Sequence, residues 1–206
     1  MPTLVIVAGP NGSGKTTLVR SGVLALVLDV PDLSINADDF ARELAAGGQP
    51  TDEQSLQAAR MSDARLDAEI AAGRSVLAET VLSSDKFKPR VAAARRAGFR
   101  IVLIYVSLRL PELNIGRVAN RRRLGGHGVP SDRVLARRTR SHRMFEWFAK
   151  EADQVFVFDN STTSPDIVAF KDRGVWTIRD LDLLPLDLAA SIQVLATCSS
   201  IPSLPG

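Results

Sequence analysis

Short apolar runs alternate with longer amphipathic stretches along most of the chain. Residues 3–8, 33–36, 75–79, 100–107 and 154–158 read as strands, because they are compact apolar runs bounded by turn residues. Between them, residues 15–26, 37–46, 51–72, 85–97, 111–123 and 131–152 carry helical patterns. Glycines close several of these, at Gly47-Gly48, Gly73 and Gly98, and Thr51 with Gln54 has the form of a capping box. Ser131 is the expected cap of the last long helix. Residues 167–170 and 175–178 read as a terminal hairpin around the turn 171–174. Continuously apolar strands separated by helices predict a parallel sheet covered on both faces. The expected fold is therefore α/β, with five parallel strands, flanking helices and a C-terminal β-hairpin. Residues 1–180 form the expected domain, and 181–206 a mildly apolar tail that either packs on it or is partly disordered.

The first strand runs into Ala8-Gly9-Pro10-Asn11-Gly12-Ser13-Gly14-Lys15-Thr16-Thr17, a complete G-x-x-x-x-G-K-[ST] phosphate-binding loop. Strand, glycine loop and helix occur in the order that this motif requires. The loop N–H groups and the following helix N-terminus form a cradle for phosphate oxygens. Lys15 is placed to reach the terminal phosphates and Thr16 to ligate Mg²⁺. The expected ligand is ATP with Mg²⁺, in a P-loop NTPase or kinase fold.

Composition narrows the setting. A chain of 206 residues with 45% hydrophobic content suffices for one core. One cysteine, Cys198, allows no internal disulfide, and the N-terminal apolar run is too short and lacks the basic lead-in of a signal peptide. No run has the length of a membrane span, so the expected location is cytoplasmic. The net charge of +3 hides an asymmetry: residues 117–143 hold nine arginines and one acid, Asp132. That segment carries +8, which leaves about −5 for the remainder. Aromatic content is low, at 5%, and no stacking residues interleave with the arginines, so the cluster suits several phosphates at one point rather than nucleic acid.

Ligands of parallel α/β sheets bind beyond the carboxyl ends of the strands. The glycine loop, Asn36 to Asp39, Glu79-Thr80 and Asp159-Asn160 all fall at such ends. Asp38 and Asp39 follow the second strand; they serve either as helix-dipole acids behind an Asn36 cap or as the base that accepts a hydroxyl proton. Glu79 ends a buried strand; it is either a structural acid or an acceptor for substrate hydroxyls or Mg²⁺-bound water. Arg117 and Arg121 share a helix face, Gly125, Gly126 and Gly128 supply a joint, and a second helix follows. Helix, flexible loop and helix is the layout of a lid, here about residues 117–143. His127 is expected to be a hydrogen-bonding lid residue.

Gly9 to Thr16, Ile35-Asn36-Ala37-Asp38, Leu77-Ala78-Glu79-Thr80, Gly125 to Pro130 and the Arg137-Arg138 pair occur in that order. Together they resemble the compact, stand-alone branch of the zeta toxin family of P-loop kinases, over roughly residues 3–178. The larger members phosphorylate the 3′-hydroxyl of the amino sugar in UDP-N-acetylglucosamine. The resemblance implies that Asp38 is the base and that Glu79, with Thr80 and Asn36, binds the sugar substrate. It implies that Arg121 and Arg138 hold the transferring phosphate, and that an antitoxin protein is a possible partner. Asn36 stands where the larger toxins carry the first Asp of D-x-D, and His127 where they carry a second lid arginine. Arg117 and Asn160 complete the expected nucleotide contacts. Three functions follow: a UDP-amino-sugar kinase, a kinase of another small hydroxyl metabolite or antibiotic, and a polynucleotide 5′-kinase or non-catalytic nucleotide-gated module.

Overall fold

The computed structural model describes residues 1–123 and 128–199. Seven strands form one sheet: β1 (Thr3–Ala8), β2 (Ser34–Ile35), β3 (Val76–Thr80), β4 (Arg100–Ser107), β5 (Gln154–Asp159), β6 (Asp166–Asp172) and β7 (Val175–Ile178). Their order is β2-β3-β1-β4-β5-β6-β7. The first five are parallel, as their uniformly apolar sequences require, whereas β6 and β7 are antiparallel. The expected hairpin is thus present but not separate: β6 pairs with β5 and extends the sheet to seven strands.

Among the described residues seven α-helices flank it: α1 (Lys15–Arg20), α2 (Ala37–Leu44), α3 (Asp52–Ala71), α4 (Lys88–Arg96), α5 (Pro111–Arg123), α6 (Ser131–Glu151) and α7 (Leu186–Ser199). Alternate residues of the central strands β1 and β4 enter different cores. Leu4, Ile6, Ile101, Leu103 and Tyr105 pack with Leu66 of α3, Val91 of α4 and Phe145 of α6. Val5, Val7, Val102 and Ile104 pack with Leu18 of α1 and Leu24. Helix α7 belongs to the first core through Leu188, Ile192 and Leu195, so the described part of the tail is packed. Residues 200–206 lie outside the described residues.

Three boundaries differ from expectation for local reasons. The first helix ends at Arg20, because Gly22 takes a left-handed φ of 76° and a short 3₁₀ turn, Val23–Leu26, follows. The cap of α6 is Pro130 rather than Ser131, without a side-chain cap bond. Helix α4 begins at Lys88, after a 3₁₀ turn at Asp85–Phe87. The capping box of α3 forms as read: Thr51 and Gln54 exchange side-chain-to-backbone bonds of 3.1 and 2.9 Å.

Candidate active site

The phosphate loop turns between the end of β1 and α1, and its glycines are sterically required. Gly14 has φ 96°, and a Cβ there would lie 2.2 Å from Asn160 Nδ2. A Cβ on Gly12 would lie 2.6 Å from the backbone oxygen of Asn114. The loop is held from behind by the second of these neighbours. Asn114, fully buried on α5, donates its amide to Asn11 O at 2.8 Å and accepts from Arg138 Nε at 3.1 Å. Arg138 also donates to Leu108 O at 2.9 Å and to Arg109 O at 3.2 Å. Asn160 donates to Ser13 O at 2.8 Å, and Arg117 reaches Asn160 O at 2.8 Å.

Along the front of the loop lies a cavity of about 990 Å³. Gly12, Gly14, Lys15, Thr16 and Thr17 form its floor, while Gly9, Pro10 and Ser13 support the floor from outside the lining. The β4/β5 side is bounded by Arg117 and Arg121 of α5, Arg137 of α6 and Asn160. The β2/β3 side is bounded by Asn36, Asp38, Glu79 and Thr80, the four residues expected to bind substrate. Arg138 does not line it. The arginine of the pair that does is Arg137, since Arg138 is turned back onto the end of β4 and α5. Ser62 and Asp63 of α3, and Ser83, Ser84 and Lys86 beyond β3, also line the cavity, although the sequence does not single them out. Nothing in their spacing separates them from solvated polar positions. The expected lid loop, with Gly125, Gly126 and His127, falls outside the described residues.

At the centre, three residues meet. Thr16 Oγ1 donates to Glu79 Oε2 at 2.7 Å and accepts from Asn36 Nδ2 at 3.3 Å. Asn36 does two jobs, because its Oδ1 also accepts from Asp38 N at 2.9 Å and caps α2. Burial pushes the Glu79 carboxyl above its ordinary value, opposed by the Thr16 bond and by Lys15. Lys15 donates to Gly9 O at 2.8 Å and Pro10 O at 3.1 Å. Burial lowers its ammonium from 10.5 to about 8, against the pull of Glu79 and Asp38. Asp38, half-exposed, pairs with Arg121 across the cavity at 3.3 Å. Asp39 points elsewhere, to Arg20 and Arg42 on the outer side of α2.

The Thr16 hydroxyl and the Glu79 carboxylate are oxygen groups of the kind that fit a small hard cation. Among the described residues no three His, Cys, Asp or Glu side chains cluster to hold a metal by themselves. A Mg²⁺ held at Thr16 would take further ligands from a bound nucleotide's phosphates, as in P-loop sites generally.

Strand order, phosphate loop and arginine-bearing helices together describe a P-loop kinase-like α/β fold. A family model described as an AAA domain matches residues 4–150, most of the chain. The chain belongs to the AAA domain family. The match takes in the AAA domain's phosphate loop, Asp38, Glu79, α5 and nearly all of α6. An uncharacterized protein of Haemophilus influenzae is 26% identical over 135 residues, covering 65% of this chain and 90% of that one. Among solved structures, the AvrRxo1-ORF1:-ORF2 complex with ATP aligns with a TM-score of 0.68 at 14% identity. All of this AAA domain chain is covered, but it spans only 66% of that protein's length. The PezAT chromosomal toxin-antitoxin system of Streptococcus pneumoniae aligns with a TM-score of 0.63 at 16% identity, covering 96% of this chain and 85% of that one. Identities this low carry the fold alone. Among the described residues, no helix is long and apolar enough to cross a membrane.

Proposed function

We propose that this protein is an ATP-dependent kinase that transfers the γ-phosphate to a hydroxyl of a small molecule. The observation that carries this reading is the pairing of Asp38 with Arg121 across a cavity floored by Lys15 and Thr16. It puts a carboxylate, a half-exposed guanidinium and a phosphate cradle around one space. Phosphoryl transfer needs those groups and little else, because positioning and electrostatics supply most of the rate.

The loop N–H groups and Lys15 hold the β- and γ-phosphates. Lys15 leaves the carbonyls of Gly9 and Pro10 as the phosphates take their place, and its full positive charge is restored by that anion. Thr16 and Glu79 are the residues that would hold Mg²⁺, with Asn36 fixing the Thr16 hydroxyl. When bound, Mg²⁺ would offset the negative charge of the β- and γ-phosphates. Arg121 moves from Asp38 to the transferring phosphoryl group as α5 and α6 close in the manner of a lid. Asp38, freed of its partner, accepts the proton of the attacking hydroxyl. Arg117, Arg137 and Asn160 flank the nucleotide. Two of the three buried side-chain polar atoms without a partner among the described residues, Asn11 Oδ1 and Ser13 Oγ, belong to the phosphate loop, as suits a region completed by a ligand.

The zeta toxin resemblance favours a UDP-amino sugar, UDP-N-acetylglucosamine, as acceptor and a cytoplasmic setting with an antitoxin as partner. The toxin-antitoxin system among the structural neighbours supports considering such a partner. The runner-up is another small hydroxyl metabolite. Incubating the protein with Mg-ATP and UDP-N-acetylglucosamine and separating the products tests the acceptor. A phosphorylated UDP-sugar formed in step with ADP supports it; brisk ADP release with a different hydroxyl compound, and none with this one, selects the runner-up.

A further inference from the structure

The β2/β3 end of the cavity differs in chemistry from the phosphate end. Its wall is made by α3 and by residues 80–87, which contribute the hydroxyls of Ser62, Ser83 and Ser84, the carboxylate of Asp63 and the ammonium of Lys86. The other cations lining the cavity, Lys15, Arg117, Arg121 and Arg137, belong to the phosphate loop and the β4/β5 side. Lys86 is thus the sole cation of this end among the described residues.

Its pairing leaves it releasable. Lys86 Nζ lies 3.4 Å from Asp63 and is half-exposed. Asp63 has a second cation at the same distance, Arg90 NH1. Arg90 is fixed: its side chain is 13% exposed, it forks onto Asp67 at 2.7 and 3.0 Å, and it lies against the Phe87 ring. When Lys86 turns into the cavity, Asp63 therefore keeps a compensating charge. A carboxylate left unpaired would oppose that movement.

The backbone that presents Lys86 is held in an unusual shape. Leu82 has φ 56°, in the left-handed region that a leucine rarely adopts, while its side chain is buried in the core. Thr80 Oγ1 accepts from Leu82 N at 3.1 Å and fixes the bend. Strain of this kind persists where surrounding packing over-determines it, and Ser83, Ser84 and Lys86, which line the cavity, follow this bend.

Near the reacting hydroxyl the site already holds two carboxyl groups, Asp38 and Glu79. An acceptor that carries an anionic group must keep it away from them and beside a cation. We propose that Lys86 binds a carboxylate or phosphate of the acceptor, while the three serines and Asp63 bind its hydroxyls. The substrate is then an anionic polyhydroxy compound, rather than a neutral or cationic one. This inference rests on the kinase reading above.

The test pairs each anionic probe with its neutral counterpart: D-gluconate with sorbitol, glucose 6-phosphate with glucose, and UDP-N-acetylglucosamine with N-acetylglucosamine. ADP release with Mg-ATP and calorimetric binding in the presence of Mg-ADP are measured for wild type, Lys86→Met and the control Lys88→Met, which lies outside the cavity lining. The expected result is preference for the anionic member of at least one pair. Lys86→Met should remove that preference by raising KM or Kd roughly ten- to a hundredfold, the range expected for a lost charge-assisted bond. Affinity for Mg-ADP should stay unchanged in both variants. A preference confined to gluconate identifies a carboxylate, and one confined to the other two identifies a phosphate. Equal use of neutral and anionic members, an unchanged preference in Lys86→Met, or no binding of any anionic probe overturns the proposal. Lys86-dependent binding of an anionic probe without ADP release supports this site while counting against the kinase reading.

Discussion

The hydroxyl of Thr16 donates to the Glu79 carboxylate at 2.7 Å, joining the first turn of α1 to the end of β3. β3 is the parallel neighbour of β1, the strand that feeds the phosphate loop, so Glu79 reaches the loop hydroxyl directly. In the proposed mechanism Glu79 would then stand beside the Mg²⁺ of a bound nucleotide, a role separable from acceptor binding.

Glu79→Gln keeps the shape and a hydrogen-bonding side chain but removes the charge. Affinity for Mg-ADP should fall roughly tenfold or more, in line with loss of a charged hydrogen bond, while metal-free ADP binds as in wild type. Calorimetry with Mg²⁺ and then with chelator measures both. Unchanged Mg-ADP affinity with a raised acceptor KM would instead assign Glu79 to the acceptor.

Asp38→Asn should leave folding and nucleotide binding intact. The cap of α2 comes from Asn36, which bonds the backbone of residue 38 and not its side chain. Transfer should drop by about two orders of magnitude or more, the usual worth of a general base. Asp39→Asn should be nearly neutral, because Asp39 pairs with Arg20 and Arg42 away from the cavity. The reverse pattern in steady-state rates would move the base to residue 39.

Lys15 predicts a pH effect with a definite sign. Its folded-state pKa of about 8 lies below the ordinary 10.5, so the unfolded chain binds more protons between those values. Its charge therefore costs stability below pH 8, and that cost is relieved as pH rises from about 8 towards 10.5. Bound phosphates favour the charged form, so nucleotide binding should take up a proton above pH 8 and weaken as pH rises further. Calorimetry at pH 8.5 in buffers of different ionisation enthalpy should give a positive proton count that Lys15→Met abolishes.

Much of this arrangement was legible in the sequence, because local chemistry fixes it. The loop glycines are demanded by positive φ and close neighbours, and the parallel strands by their unbroken apolar runs. Asn36, Asp38, Glu79 and Thr80 reach one cavity because strand ends converge in any such sheet. Other features depend on tertiary direction. Arg137 and Arg138 are adjacent and chemically identical, yet a step of about 100° along the helix aims one at the cavity and the other at Asn114. Ser62 and Asp63 carry no signal of their own on α3, because only the course of residues 80–87 makes that face a wall. The apolar run after Arg20 read as more helix, and Gly22 alone marks the break. The tail gave no strong period, but Leu184, Leu188, Ile192 and Leu195 join the core to which α6 contributes.

Asn114 carries a prediction of its own. It must donate to Asn11 O and accept from Arg138 at once, which an amide does and a leucine cannot. Asn114→Leu should weaken ADP binding and lower Tm, because two buried partners lose their bonds at about 1–3 kcal/mol each. Arg138→Lys should give a smaller loss of the same kind and leave acceptor KM unchanged. A selective loss of kcat in Arg138→Lys, with ADP affinity and Tm intact, would return Arg138 to the reacting phosphate.

The most direct measurement follows the γ-phosphate itself. The protein, Mg²⁺ and γ-labelled ATP are incubated with a small-molecule metabolite extract, and labelled products are identified by mass spectrometry beside an Asp38→Asn control. The account predicts a labelled organic phosphate ester, formed in step with ADP and absent with Asp38→Asn. Label appearing only as inorganic phosphate, or remaining in ATP although Mg-ATP binds, would contradict it.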